Sequence, residues 1–450
     1  MNFSPPAKEG RERSGRGGVF EFVLLNLTTL PDWLNYLERL HPKSIDMGLA
    51  RVAQVKSALA LTPAFPIITV GGTNGKGSTC ALLEEILCRA GYRVGCYTSP
   101  HLLRYNERVK INRQEAGDAA LCAAFAEIET ARGDISLTYF EFGTLAAMRL
   151  FIDAKVDVAI LEVGLGGRLD AVNVFDADCA VVTGIALDHV EYLGDTRDKI
   201  GAEKAGIYRG GIAAICADPQ PPASVRQHAD NIGAHFFQLG KDFGYTTDAA
   251  QWHYWGAHSK HHSLPYPALR GVYQLQNAAA ALAALGAVKD KLPVSMNDIR
   301  QGLLEVQLAG RFQVLPGRPA VVLDVAHNPQ AAAALAENLG KMPFAQNTYA
   351  VFGMLQDKDI AGVIAAIRHR VDVWLIAGLG GFSPRGAAPG KVRAALLAAG
   401  IDADDNNIAQ DFTDPASAYK FACERVTEND RICVFGSFYT VAAVLQQMPR

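Results

Sequence analysis

Val70-Gly71-Gly72-Thr73-Asn74-Gly75-Lys76-Gly77-Ser78-Thr79 is the stretch on which the reading of this chain turns. The apolar run Pro66-Ile67-Ile68-Thr69-Val70 precedes it, and the helical pattern Ala81-Leu82-Leu83-Glu84-Glu85-Ile86-Leu87 follows. A strand, a glycine-rich turn and a helix in that order converge backbone N–H groups on phosphate at a helix N-terminus. Lys76 adds a point charge suited to the β- and γ-phosphates. The stretch departs from the usual G-x-x-x-x-G-K-[ST] spelling: the residue five before Gly75 is Val70, and Gly77 separates Lys76 from Ser78. The alternative is an ordinary glycine turn beside a solvated lysine. Four glycines, the lysine and both flanking elements weigh against it.

At 450 residues the chain exceeds a usual single domain, so two domains or one enlarged domain are expected. Apolar residues make up 49% and charged residues 20%, the balance of a globular protein with sizeable cores. A net charge of −3 offers no global basic field, so neither nucleic acid nor an anionic membrane is an expected partner. No apolar run approaches the roughly 20 residues of a membrane span. Met1 to Gly18 is polar, carries Arg11, Arg13 and Arg16, and lacks the apolar core of a signal peptide. Residues 1–30 are read as a disordered extension. The eight cysteines form no C-x-x-C pair and sit mostly in apolar patterns, which points to reduced core thiols in the cytoplasm. His258, His261 and His262 lie in a polar stretch without partner carboxylates and are read as a solvated loop rather than a metal site.

Strands and helices alternate through the first half. Arg93 to Tyr97 reads as a short strand ending at Thr98-Ser99-Pro100-His101, with helices expected from about Asp118 to Arg132 and from about Phe140 to Ala154. Val156 to Leu161 and Cys179 to Thr183 read as buried strands. Near-continuous apolar strands between helices imply a parallel sheet covered on both faces, with ligands at the carboxyl ends of the strands. Residues 218–270 look like a loop or small β insertion, and Gln276 to Ala287 like an alanine-rich helix. The pattern breaks near Leu308 to Phe312 and restarts as strand (Ala320 to Val325), helix, strand (Tyr349 to Phe352), helix and strand (Val371 to Ile376), closing with Arg431 to Phe435. The fold expected is α/β: a phosphate-loop ATPase domain with a mostly parallel sheet over 31–308, then a smaller Rossmann-like domain over 309–450.

Polar residues cluster at the strand ends. Glu162 ends one strand, in the sheet that carries the phosphate loop, and is placed to hold Mg²⁺; a capping or salt-bridging glutamate is the alternative. Arg168 and Asp170 beside it could be a simple ion pair. Asp188-His189 follows the next strand, and Glu203-Lys204-Ala205-Gly206-Ile207 comes about fifteen residues later. Taken alone, that histidine is structural or solvated, and Lys204 is a surface charge. Asp324-Val325-Ala326-His327-Asn328-Pro329 follows a strand of the second domain, where Asp and His suit a ribose hydroxyl, an amine or a phosphate. Asx-type turn chemistry before the helix near Pro329 is the alternative. Arg311, at the hinge, either reaches a γ-phosphate on closure or is an ordinary surface arginine.

Together these segments resemble the folylpolyglutamate synthases, ATP-dependent amide ligases related to the Mur ligases, from about Trp33 to the C-terminus. The carrying motifs are Ser44 to Leu49, GTNGKGS at 72–78, Thr98-Ser99-Pro100-His101-Leu102, Ser136 to Thr144, Glu162 to Ala171, Leu187-Asp188-His189, Glu203 to Ile207, Gly310-Arg311-Phe312, Asp324 to Pro329 and Gly436-Ser437-Phe438. They are most similar to the bacterial bifunctional branch, which is also a dihydrofolate synthase. The resemblance implies that ATP binds at Thr73, Asn74, Gly75, Lys76, Gly77 and Ser78, with Asn277 at the adenine and Arg311 and Asp324 reaching over from the second domain. It implies Mg²⁺, at two sites, on Ser99, Glu162, His189 and Lys204, the last as a carbamate formed with CO₂. The choice of Ser99 over Ser78 rests on the resemblance alone.

It further implies that the pterin of dihydropteroate or a reduced folate contacts Asp46, Met47, Gly48, Leu49, Thr138, Tyr139, Phe140, Glu141, Leu169, Asp170 and Ala171. L-Glutamate would meet His327 and Ser437, and Lys76, Lys204 and His327 would carry the catalysis. A monomer is also implied. Val172-Asn173 stands where relatives often have Thr-Asn, and the first thirty residues match nothing in the family. The rival enzyme is a ligase that joins an amino acid to a cell-wall precursor, against which the pterin-region motifs argue. The rival class is a nucleotide switch, which needs neither the Asp324/His327 pair nor a metal-ligating lysine.

Overall fold

A computed structural model describes residues 27–43, 45–401 and 408–448. The run before the phosphate loop forms β1 (Ile67–Gly71), buried at every position. Its neighbours are β2 (Val94–Tyr97), β3 (Val109–Ile111), β4 (Gln114–Glu115), β5 (Val158–Glu162), β6 (Cys179–Val182), β7 (Ala213–Cys216) and β8 (His235–Gln238). They form an eight-stranded sheet in the order β4-β3-β2-β5-β1-β6-β7-β8. Strands β2 to β8 in that order run parallel, and β3 and β4 add an antiparallel edge.

The strands read as continuous apolar runs because both faces are covered. Ile68, Val70, Val158 and Ile160 pack under the helices Lys76–Arg89 and Gln274–Ala287. Ile67, Ala159 and Leu161 face the opposite core, with the helices Leu30–Leu40, Asp118–Arg132 and Tyr139–Asp153.

The segment 218–270 is more regular than its composition implies. It holds the helix Ala223–Ile232 and β8, then an antiparallel meander of β9 (Phe243–Thr247), β10 (Trp252–Gly256) and β11 (Lys260–Leu264). His261 and His262 therefore lie on a strand and not in a loop, with His261 stacked on Tyr254 at 5.7 Å. The alternation in β10 is real, with Trp252 and Tyr254 buried and His253 between them. Histidines at the outward positions disguise it. The expectation of a disordered extension over 1–30 falls, for 1–26, outside the described residues. Within it, Thr29 caps the helix that begins at Leu30, through a capping box with Asp32.

A second sheet follows: β12 (Gln313–Leu315), β13 (Ala320–Leu323), β14 (Thr348–Phe352), β15 (Val373–Ala377), β16 (Ile408–Phe412) and β17 (Arg431–Phe435), in the order β12-β13-β17-β14-β15-β16. All but β12 run parallel. All eight cysteines are free. Among the described residues, no helix is long and apolar enough to cross a membrane.

The phosphate loop leaves β1 through Gly72, at φ +140°. A Cβ there would stand 1.8 Å from Thr183 Oγ1, the hydroxyl that donates to Asn74 O at 2.7 Å and ties the loop to β6. Gly72→Ala therefore collides with the tie it needs, and is expected to lower stability by about 2–3 kcal/mol. The measurement is the urea midpoint of the N-terminal domain. A midpoint equal to that of the parent contradicts this account of the loop.

Candidate active site

The helix Lys76–Arg89 starts from Gly75, which is left-handed at φ +94°. A Cβ on Gly75 would sit 2.5 Å from Asn277 Oδ1, so this turn admits only glycine. The Lys76, Gly77 and Ser78 amides find no acceptor among the described residues. They form an open anion-binding helix end. Lys76 Nζ folds back onto Gly72 O at 3.1 Å and Thr73 O at 3.3 Å. Thr73 Oγ1 donates to Ala186 O at 3.1 Å and accepts from Ala186 N at 3.0 Å, which anchors the loop to the segment after β6. Buried Ser78 accepts from Gln274 Nε2 at 3.4 Å, and Gln274 in turn accepts from Asn277 at 3.0 Å.

Three further elements end beside this loop. Glu162 closes β5 and is buried; its Oε2 accepts the Ser99 amide at 3.0 Å. Burial pushes its carboxyl pKa up, opposed by Lys76 and that amide. His189 follows β6 in a left-handed conformation at φ +51°. Burial lowers its imidazole pKa to about 4, with Asp188 opposing, so the ring is neutral near pH 7 and keeps a lone pair. Lys204, on the helix Arg197–Ala205, is only 3% exposed, so it is not the surface charge its sequence context suggests. Its ammonium has neither an ion pair nor a hydrogen bond among the described residues. Burial, then Lys76, lowers its pKa to about 7. The pairing of Arg168 with Asp170 does not form: Arg168 pairs with Glu203 at 2.8 Å, and Asp170 accepts the Leu165 and Val172 amides.

The second domain faces this cluster across a cleft. Arg311 stacks on the Phe438 ring at 4.9 Å, and Asp324 accepts the Phe312 and Ala326 amides, both at 2.8 Å. Asn74 Nδ2 donates to Gln330 Oε1 at 2.6 Å and to Asn328 Oδ1 at 3.3 Å, joining the phosphate loop to the second domain. Asp188 is the other bridge. It meets Lys358 Nζ at 2.6 Å and His327 Nε2 at 3.6 Å, and Lys358 also reaches His189 Nε2 at 3.2 Å. Lys358 and Gln330 carry no signal in the sequence, since each reads as a polar residue in a turn or at a helix start.

Thr73, Asn74, Gly75, Lys76, Gly77, Ser78, Ser99, Glu162, His189, Lys204, Asn277, Arg311, Asp324 and His327 all line one cavity of about 240 Å³. A second cavity, of about 410 Å³, adjoins it and shares Ser99, His189, His327 and Phe438 with it. Its far end is formed by Asp46, Met47, Gly48, Thr138, Phe140, Glu141, Leu169, Asp170 and Ala171. Leu49 and Tyr139 do not line it; Leu49 packs against the core. Arg51 organises this end, donating to Asp46 at 2.6 Å and to Glu141 at 3.1 Å, a role its sequence position does not announce. Burial raises the Asp170 pKa to about 7. Ser437 lines the cavity from the second domain, with its hydroxyl engaged as the cap of the helix Phe438–Leu445, 3.0 Å from Thr440 N.

Among the described residues, no three His, Cys, Asp or Glu side chains converge as a metal cluster. A cation at Glu162 and His189 thus needs hydroxyl, phosphate or modified-lysine oxygens to complete its shell. Glu162 suits one: its Oε1 accepts no hydrogen bond among the described residues and points toward Gly77 at the helix end.

Known proteins resemble this chain along most of its length. Residues 70–285 match the Mur ligase middle domain, and residues 310–438 the Mur ligase glutamate ligase domain. The chain is 47% identical to the dihydrofolate synthase/folylpolyglutamate synthase of Escherichia coli (strain K12), over 93% of this chain and 95% of that protein. Its fold is similar to that of E. coli FolC in complex with DHPP and ADP, at TM-score 0.88 and 47% identity, over 93% of this chain and 97% of that one. It is likewise similar to a bifunctional folylpolyglutamate synthase/dihydrofolate synthase with Mn, AMPPNP and L-glutamate bound, at TM-score 0.85 and 47% identity, covering 93% and 98%. The sequence motifs, the two sheets and these likenesses agree: the chain belongs to the dihydrofolate synthase/folylpolyglutamate synthase family of Mur ligases.

Proposed function

We propose that the chain is an ATP-dependent ligase that adds L-glutamate to dihydropteroate, and to the γ-carboxylate of reduced folates, through an acyl phosphate. The observation that carries this reading is the meeting of two cavities at Ser99, His189 and His327, one with an open phosphate-binding helix end and one of about 410 Å³ that reaches Asp46, Glu141 and Asp170. Relatives solved with DHPP and ADP, and with Mn, AMPPNP and L-glutamate, support the same set of ligands. The domains divide at about 308/309, between the helix Met296–Glu305 and β12. The free cysteines suit a reducing compartment, the cytoplasm, and a monomer is the proposed working unit.

In this mechanism the helix end from Gly75 to Ser78 and Lys76 hold the ATP phosphates, with Asn277 beside the adenine. Arg311 and Asp324 close over the nucleotide from the second domain. The acceptor carboxylate attacks the γ-phosphorus, an O–P bond forms, and the bond to the β-phosphate oxygen breaks to release ADP. This transfer depends on positioning and charge neutralisation, which Lys76 and Arg311 supply from opposite walls. Ser99, Glu162, His189 and carbamylated Lys204 would hold two Mg²⁺ ions, whose chemistry is to neutralise the transferring phosphoryl group. The glutamate amine then attacks the acyl carbon, phosphate leaves, and the amide forms. His327 is held at Nδ1 by Val325 O, 2.9 Å away, with Nε2 3.6 Å from Asp188 Oδ2 in the cleft, where it would receive the amine and its proton. Ser437 lies on the same side. Closure keeps water from the acyl phosphate.

Two measurements test this. With dihydropteroate, Mg²⁺, ATP and L-glutamate, ADP and phosphate are expected to appear in step with the amide, and again with tetrahydrofolate as acceptor. Absence of ADP in both assays contradicts the reading. Lys204→Ala is expected to lower turnover by about 100-fold or more while leaving ATP affinity nearly unchanged. Turnover retained in that variant rules out the carbamate role.

A further inference from the structure

Arg108 stands in the wall of the second cavity with no function assigned to it by the mechanism. It ends the short turn Tyr105–Arg108, just before β3. Its guanidinium lies against the Tyr105 and Tyr139 rings, with its carbon 5.5 Å and 5.4 Å from their centroids. Nε donates to His101 Nδ1 at 2.9 Å. No carboxylate among the described residues pairs with the two terminal amino groups of Arg108, and the two rings flank its guanidinium. That is the preorganised state in which arginine binds a carboxylate with two parallel hydrogen bonds.

The position of this fork identifies the carboxylate. Arg108 lines the acceptor cavity but not the nucleotide cavity. It shares the acceptor cavity with Ser99 and His189, which stand where the two cavities meet. The reacting carboxylate must lie beside Glu162 and Lys76. The incoming glutamate is placed at His327 and Ser437 on the second-domain side, so a group held by Arg108 on the first-domain wall is assigned to a second anion of the acceptor, a few bonds from the reacting one. Dihydropteroate has no such group, because its only carboxylate is the one that reacts. A folate has one: its terminal glutamyl residue presents the γ-carboxylate for reaction and the α-carboxylate beside it.

We propose that Arg108, oriented by His101, Tyr105 and Tyr139, binds the α-carboxylate of the terminal glutamyl residue and so distinguishes folate acceptors from dihydropteroate. This rests on the ligase reading above. It makes Arg108 a specificity residue for chain extension and gives it no part in the first glutamylation.

The test compares kcat/KM for tetrahydrofolate with kcat/KM for dihydropteroate, in the parent and in Arg108→Ala and Arg108→Lys. Arg108→Ala is expected to lower the folate-to-dihydropteroate ratio by roughly 10- to 100-fold, the value of a charge-assisted hydrogen-bond pair, mainly through KM for the folate. Arg108→Lys is expected to recover part of that loss. A tetrahydropteroyl-γ-aminobutyrate acceptor keeps the reacting carboxylate and lacks the α-carboxylate, and it should be used equally by parent and Arg108→Ala. Equal losses on both natural acceptors would instead assign Arg108 to a group common to both reactions, the transferring phosphate or the incoming glutamate, and overturn the proposal. So would an unchanged ratio, or a variant defect that persists on the γ-aminobutyrate analogue. Lack of tetrahydrofolate turnover in the parent counts against the ligase reading itself, and is read separately from the variants.

Discussion

The ion pair between Asp188 and Lys358 holds the two halves of the site in register. Both side chains are mostly buried, at 11% and 7% exposure, and their charged atoms meet at 2.6 Å across the domain boundary. Despite its burial, Asp188 is held far below the usual carboxylate range by His327, Lys358 and His189. Removing one partner of such a pair strands a charge in a poorly solvated place, which costs about 3–5 kcal/mol. The pair thus works as an orientation device. With it in place, Asn74 reaches Gln330 and Asn328, and Arg311 faces the phosphate loop. Without it, the second cavity loses the wall formed by Lys358, Arg385 and Tyr439.

The same closure leaves Lys204 in an unusual position. A buried ammonium with no acceptor is expensive, and the low pKa is the physical response to that cost. A neutral amine is also the form that reacts with CO₂. Converting it to an anion would relieve the repulsion from Lys76 and supply the oxygen ligands that Glu162 and His189 alone do not provide. One modification would then answer both the electrostatic problem of the lysine and the incomplete coordination shell.

Much of the architecture was legible in the chain because it is written in local patterns. The apolar runs at β1, β5 and β6, and the helices Asp118–Arg132 and Gln274–Ala287, lie within a residue or two of their expected positions. So does the strand-glycine-helix order of the phosphate loop. The meander was legible as one of two alternatives, a loop or a small β insertion, and histidines at its outward positions left the choice between them open. Lys204 was locally unremarkable, since its burial arises from packing against segments far away in sequence. The residues missed outright, Arg51, Arg108, Gln330 and Lys358, share that property. Each has a partner or cavity neighbour far away in sequence, even where a nearer one exists: Arg51 meets Glu141 ninety positions on, Arg108 lies against Tyr139, and Lys358 meets Asp188 at a separation of 170. The choice of Ser99 over Ser78 came from family resemblance. In the fold Ser78 is buried beside Gln274 and Ser99 stands at the junction of the two cavities.

The central claim is that the acceptor carboxylate is activated by phosphoryl transfer before the amide forms. Dihydropteroate carrying a heavy oxygen isotope in its carboxylate tests this directly. The account expects one labelled oxygen to pass to inorganic phosphate for each amide bond made, with the other retained in the product. Phosphate free of label, with the amide still forming, would contradict it.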